Sequence, residues 1–339
     1  MTKARLELNR RQILAYRRNV GALDARLPAG AASLRRAAWA GLQDSMPRAA
    51  LLSIHARVEG TEPSTLQHRA LTQLWGPRFS AYVVAARDRA VFTLGRFPED
   101  EAGRRLARDL ADRLHAFLAR RTMTYGEAGR ALGEHPNRLR YAAPTGRVLI
   151  RWDGARRPVV WTVPAPDVDP EDARRELARR YLHIFGPATP SSFAEWAGIA
   201  PARARETFDE LTRSLIAVRT PVGEAWILTA DEPALRAAPG PAGGARLLPS
   251  GDAYFLLQGA DRELLVPEAD RRRALWTPRV WPGAVLVRGE LIGTWRRGGA
   301  DVAIQLWRRL ARGARDAVAA EAESLPLPDV RGRVQVRFA

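Results

Sequence analysis

The sequence predicts an α+β chain in which winged helix-turn-helix modules repeat and a small β-barrel or sandwich follows. Three observations predict it. An amphipathic helix, two short helices and an arginine-bearing hairpin recur in that order, most clearly after Pro98-Glu99-Asp100 and again after Pro170-Glu171-Asp172. From the first short helix to the end of the hairpin, these two copies have nearly the same length, which loose periodicity would not often produce. Beyond residues 233–244, rich in Ala, Gly and Pro, the apolar period changes from helical to two.

The elements follow in order. Residues 9–19 read as a helix capped by Asn9, with Ile13, Leu14 and Tyr16 on its apolar side. Gly21 and Gly30 bracket a break, Ser33 suits the cap of a second helix, and Pro47 can open a third. Residues 71–84 alternate as strand material around Gly76-Pro77. This is the first module, residues 1–97. In the second, 98–168, Leu106, Leu110, Leu114 and Phe117/Leu118 repeat at helical spacing. Short helices follow near 125–132 and 137–142. Strands at 148–152 and 159–163 then flank Asp153-Gly154, a strong hairpin signal. The third module, 169–232, repeats the order with Leu177, Tyr181, Ile184 and Phe185 on one helix face and a hairpin around Pro221-Val222-Gly223. In 245–310, short strands are expected at 246–257, 263–266, 284–287, 291–295 and 302–307. A closing helix at 314–324 and an unassigned tail complete 311–339.

Charge and composition limit the function. The chain has 339 residues, 54 Lys+Arg against 37 Asp+Glu, and a formal net charge of +17. That excess favours a polyanion, and repeated winged helices favour double-stranded DNA among polyanions. A membrane surface fits poorly, because the arginines lie on several helix faces and in hairpins and form no single basic stripe. The absence of cysteine removes disulfides, thiolate metal sites and thiol nucleophiles. The histidines have no metal-ligand spacing, so no metal and no cofactor is expected. No apolar run approaches membrane length, and a cytoplasmic, nucleoid-associated protein is expected. Several DNA-binding modules in one chain reduce the need for a dimer.

Several segments resemble the AlkZ/YcaQ superfamily of bacterial DNA glycosylases. They are Gly41-Leu42-Gln43-Asp44-Ser45-Met46-Pro47-Arg48-Ala49-Ala50; Arg180-Tyr181-Leu182 with Gly186-Pro187-Ala188-Thr189 and Phe193-Ala194-Glu195-Trp196-Ala197-Gly198; Arg246-Leu247-Leu248-Pro249 with Asp252; and Gly289-Glu290-Leu291-Ile292-Gly293-Thr294-Trp295. The resemblance spans nearly the whole chain. It implies three tandem winged helices and a C-terminal β-barrel curved into a C-shaped cradle around duplex DNA. It further implies a monofunctional, metal-independent hydrolase that excises N7-alkylated purines, with crosslink unhooking in some members.

The family's catalytic motif is Gln, an apolar residue, then Gln or Asp. The matching positions are Gln43, Asp44 and Ser45, so the first Gln is kept, the middle residue is a carboxylate and the third a hydroxyl. An N7-alkylated purine is already cationic and leaves readily, so the protein must mainly position water and stabilise an oxocarbenium-like sugar. Gln43 can hold water through its amide, with Asp44 as negative charge or base, or Ser45 as a hydrogen-bonding partner. Adjacent side chains diverge, so the three cannot face one point. Either Asp44 replaces the missing partner through a changed backbone, or Ser45 does so weakly, or the site is inactive and the chain is a DNA-binding regulator or lesion sensor. The same residues also read as a helix end and the cap of the next helix, a role compatible with catalysis. His55 is an auxiliary candidate for the same groove, set against a structural histidine. Arg48, Arg57, Arg151, Arg156 and Arg157 are the phosphate-contact candidates, each set against a solvated surface charge. Trp39, Trp75, Trp152 and Trp196 suit core packing better than base stacking, and Asp252 suits a turn or ion pair.

Overall fold

Asn9 opens the first helix with a capping box, its side chain accepting from the Gln12 N–H while the Gln12 side chain accepts from the Asn9 N–H. The computed structural model describes residues 6–44, 48–152, 158–237, 240–327, 330 and 332–339. Its described strands form three three-stranded sheets and one five-stranded sheet.

Strand β1 (Leu6–Glu7) and helix α1 (Arg10–Val20) precede α2 (Ala31–Ala37), β2 (Leu42–Gln43), α3 (Ala49–His55), β3 (Leu71–Trp75), β4 (Ala81–Ala85) and α4 (Arg89–Thr93). The first sheet has the order β2-β4-β3 and is antiparallel throughout. Leu34, Leu42, Ala50, Ile54, Leu71 and Val83 form the core beneath it. Helix α2 starts after Gly30, whose φ of 142° suits glycine, so Ser33 falls within the first turn and does not cap it. Pro47 lies outside the described residues.

The second unit contains α5 (Glu101–Leu118), β5 (Met123–Thr124), α6 (Tyr125–Ala131), a 3-10 stretch at Pro136–Thr145, and the hairpin β6 (Val148–Arg151) and β7 (Val159–Thr162). Asp100 caps α5 by accepting from the Gly103 N–H at 2.7 Å. The expected second short helix is thus present in the tighter 3-10 form. Asp153-Gly154 lies outside the described residues. Leu110, Leu114, Leu118, Leu139, Val148 and Val160 are buried together, and Trp75 and Ala81 from the first sheet join them. The first two units therefore share a core.

The third unit contains α7 (Pro170–Phe185), α8 (Pro190–Ala197), α9 (Pro201–Glu210) and the hairpin β8 (Leu215–Thr220) and β9 (Gly223–Leu228). Proline begins each of these helices, where its missing N–H has no intrahelical partner to lose. The remaining strand of its sheet comes from the other end of the chain, since β1 pairs parallel to β8 with Leu6 opposite Val218. Leu8, Ile13 and Tyr16 accordingly share a core with Val218, Ile227 and Leu235. Helix α1 packs into the third unit, and Arg17 on it donates to the carbonyls of Phe185 and Gly186 where α7 ends.

After α10 (Glu232–Arg236) come β10 (Ala245–Leu248), α11 (Asp261–Leu265), α12 (Ala269–Leu275), β11 (Gly283–Val287), β12 (Glu290–Gly298), β13 (Asp301–Leu306), α13 (Arg312–Glu323) and β14 (Gln335–Phe338). The sheet order is β10-β11-β12-β13-β14, and no pair among the described residues joins β10 to β14. The expected barrel is therefore corrected to an open sheet. Val318 and Ala322 of α13 bury against Val285, Val287 and Ile304, so a helix covers the apolar face that closure would otherwise hide. Two further expectations change. Residues 263–266 were expected as strand but fall largely within α11, and of 246–257 only the first few residues are in a strand. The tail supplies β14, parallel to β13. No described helix is long and apolar enough to cross a membrane.

Candidate active site

Strand β2 ends at Gln43, which lies opposite Tyr82 of β4. The next residue leaves the strand while its N–H still donates to the Ala81 carbonyl at 2.7 Å. Because side chains alternate along such a segment, Gln43 and Asp44 go to different environments.

Gln43 is half-buried, and its Oε1 accepts from Arg78 Nη2 at 3.4 Å. Arg78 sits in the left-handed region, φ 54°, in the turn between β3 and β4, and is exposed. On the other flank, a Cβ added to Gly251 would lie 3.3 Å from the Gln43 amide carbon. Gly251 has φ +76°, a backbone conformation that favours glycine, and a Cβ there would also crowd the Gln43 amide. The amide of Gln43 is thus held between an exposed arginine and the loop that follows β10.

Asp44 turns inward and is 2 % exposed. Its Oδ1 accepts from the Ala50 N–H at 2.9 Å, near the start of α3, and its Oδ2 accepts from the Gln73 amide at 2.7 Å. Gln73 in turn accepts from the Trp152 N–H at 2.5 Å, which ties the second hairpin to this carboxylate. Burial pushes the Asp44 carboxyl up to about 7, against the opposing effects of the Ala50 N–H, the Arg48 charge and the Gln73 amide.

The raised value has a consequence for stability. Between about 3.8 and 7 the folded state keeps this proton while the unfolded chain has lost it, so stability falls as pH rises through that window and levels off above it. Asp44→Asn removes this contribution. Urea denaturation at pH 5 and pH 8 should show the difference in stability, wild type minus Asp44→Asn, becoming more unfavourable by on the order of 2–4 kcal/mol at the higher pH. An unchanged difference would assign Asp44 an ordinary acidic pKa.

The other candidates divide into two groups. Arg48 is half-buried at the start of α3 with φ 63°. With Arg151 at the exposed end of β6 it lines a cavity of about 230 Å3 that also includes Gln73, Trp152 and Trp161. Those two arginines therefore converge beside the Asp44 segment. Arg57 and His55 do not. Arg57 is buried in a two-pronged ion pair with Asp252, at 2.7 and 2.8 Å, so its expected phosphate contact is corrected to a structural one. His55 Nε2 lies 3.1 Å from Ser324 Oγ and 3.3 Å from Arg26 Nη2, beside the end of α13. Burial and the charges of Arg26 and Arg246 lower it to about 4, and its expected place in the groove is likewise corrected. Ser45, Arg156 and Arg157 lie outside the described residues.

Sequence reasoning missed Gln73, Arg78 and Gly251. No spacing marks them, since each reaches Gln43 or Asp44 from a distant part of the chain. The model of the family described as "DNA glycosylase AlkZ-like" matches residues 36–326. The chain belongs to the DNA glycosylase AlkZ-like family. A curated relative from Streptomyces sahachiroi, named "Interstrand DNA cross-link repair glycosylase", is 26% identical over 185 residues, covering 46% of this chain and 49% of that protein. The match thus spans about half the length of the relative. The solved structure of Streptomyces sahachiroi DNA glycosylase AlkZ is similar in fold, with a TM-score of 0.79 at 18% identity, over 98% of this chain and 100% of that one. The mixed helix-and-sheet architecture described above is therefore that of an AlkZ-like protein, and the family model includes the whole segment from Gln43 through Gly251.

Proposed function

We propose that the protein is a monofunctional DNA-repair glycosylase that hydrolyses the N-glycosidic bond of N7-alkylated purines in duplex DNA, crosslinked purines included, without a metal. The observation that carries this reading is Gln43, a half-exposed amide fixed between Arg78 and Gly251 at the position of the family's first catalytic Gln. Its amide holds the attacking water. The alkylated base leaves as a neutral purine, and water adds to the sugar cation and gives up a proton to solvent. Asp44 organises the site through the start of α3 and, when ionised, adds negative charge close to that cation. Water is the nucleophile, in keeping with a chain whose only lysine is Lys3. The three helix-and-hairpin units act as winged helices that form a cradle for the duplex at the nucleoid, with Arg48, Arg78, Arg151, Arg156 and Arg157 on the phosphates.

Incubation with duplex containing N7-methylguanine, followed by alkaline cleavage at abasic sites, tests the reading. Strand breaks at the lesion well above spontaneous depurination are expected, also in the presence of a chelator. Tight duplex binding without breaks would favour a second reading, a lesion sensor of the same fold that has lost catalysis. The burial of Asp44, with both oxygens already accepting N–H groups, is the observation that favours that alternative.

A further inference from the structure

The turn between β3 and β4 holds Arg78 and Phe79 in the left-handed region, at φ 54° and 56°, and neither is glycine. Two such residues in succession are strained, so the turn persists only where its surroundings fix it. Those surroundings include the second and third units. Gly198, just past α8 with φ +72°, lets the Arg78 backbone approach so closely that a Cβ there would lie 3.1 Å from it. The Phe79 ring meets Tyr141 of the second unit edge-on at 5.0 Å and carries the Arg96 guanidinium at 4.8 Å. Arg96 is itself buried and donates to the Ala197 carbonyl at 2.7 Å, again at the end of α8. The strained turn thus delivers one exposed guanidinium to the Gln43 amide.

That guanidinium decides which end of the amide faces which way. A glutamine amide can flip, exchanging its oxygen and its NH2. The contact with Gly251 does not choose between them, because a Cβ there would lie 3.6 Å from both Oε1 and Nε2 of Gln43. A guanidinium only donates hydrogen bonds, so the end that faces Arg78 is the carbonyl. Arg78 also lies among like charges. Burial and the Arg78 charge together lower Arg262 from its ordinary value, and burial with the same charge lowers Arg96 to about 10 against the opposing effect of Tyr82. Three guanidiniums that act on one another favour an anion beside them. Arg78 has five N–H donors, so one can hold Gln43 while others take a phosphate oxygen.

We propose that Arg78 is a positioning residue for excision: it holds the Gln43 carbonyl with one N–H and a DNA backbone phosphate with others, so that the amide presents its NH2 to the water in a fixed relation to the sugar. The excision step rests on the glycosylase reading, whereas the amide orientation and the phosphate contact do not, and the test reads them apart. The full chain is labelled with 15N at the side chains of its seven glutamines, and the Gln43 resonance pair is assigned by its loss in Gln43→Ala. Arg78→Gly suits the left-handed turn, so the Gln43 pair is expected to move while the other six stay and show that the fold is kept. On undamaged duplex, Arg78→Gly should reduce the slope of log affinity against log salt by about one, and Arg78→Lys, which keeps the charge, should restore it. In single-turnover excision of N7-methylguanine, Arg78→Gly should cost about tenfold to a hundredfold, the scale of a misplaced reacting group. The same substitution should cost less than about twofold when Gln43 is already alanine, because residues that act as a unit are not additive. Arg78→Lys should still excise slowly, since an ammonium lacks the planar fork that joins the two contacts. A Gln43 pair unmoved in Arg78→Gly, an unchanged salt slope, or an equal cost of Arg78→Gly in both backgrounds would overturn the proposal. A wild type that excises nothing would fail the glycosylase reading alone, and the resonances and the salt slope then decide the role of Arg78.

Discussion

Gln43→Ala should lower excision of N7-methylguanine by about a hundredfold to a thousandfold, the cost of removing one well-placed polar group from a charge-separating transition state. The prediction follows from where the amide lies. Gln43 is half-buried, flanked by Arg78 and packed on Gly251, so truncation removes the group that would hold water and leaves the surrounding backbone supported by its own pairing to Tyr82. Duplex affinity should change little, because phosphate contacts come from many arginines and are distributed over the surface. Single-turnover rates with enzyme in excess, measured beside anisotropy on the same duplex, separate the two effects. Undiminished excision by Gln43→Ala would remove Gln43 from the mechanism. Equal loss of rate and of affinity would reassign it to DNA binding.

The largest loss of stability should come from Arg57→Ala. Arg57 donates through both terminal nitrogens to Asp252, and Asp252 also accepts from Ser53 Oγ at 2.7 Å and the Tyr254 N–H at 2.9 Å. Both side chains are almost wholly excluded from water, at 4% and 0% exposure. Removing the cation leaves an uncompensated buried carboxylate, which costs about 3–5 kcal/mol. Guanidinium denaturation of the substituted protein should show a correspondingly lower midpoint. The double substitution Arg57→Met with Asp252→Leu should recover most of the loss, because it removes both charges and keeps the volume filled. A single substitution without effect would mean that water reaches the pair.

This ion pair also illustrates what could be read from the sequence. Asp252 suited an ion pair or turn, but its partner is 195 residues away, and nothing local distinguishes Arg57 from a surface arginine. Arg17, Arg18, Arg96, Arg174 and Arg180 are also buried. Net charge therefore overstated the basic surface, since long guanidinium side chains also cap helix ends and pair within cores. What was legible was local. Asn9 accepts an N–H bond at a helix start, and the helical spacing of Leu106, Leu110, Leu114 and Leu118 corresponds to one face of α5. The apolar run Leu264-Leu265-Val266 was too short to separate strand from helix by periodicity, and it falls at α11. At the candidate site, Gln43 and Asp44 were visible as a motif. Their separation was only half visible, because the strand that sends them apart exists through pairing with β4, some forty residues later.

The parallel pairing of β1 with β8 also bears on the order in which the chain can fold. Leu8, Ile13 and Tyr16 leave the ribosome well before the surface that buries them is complete, since that surface needs Val218, Ile227 and Leu235. Until then the amphipathic N-terminal segment has nothing to dock on and must keep its apolar stripe exposed or borrow a temporary partner. The sheets of the first two units, complete by Thr162, can form during that wait, so the first helix settles after units that are made later than it.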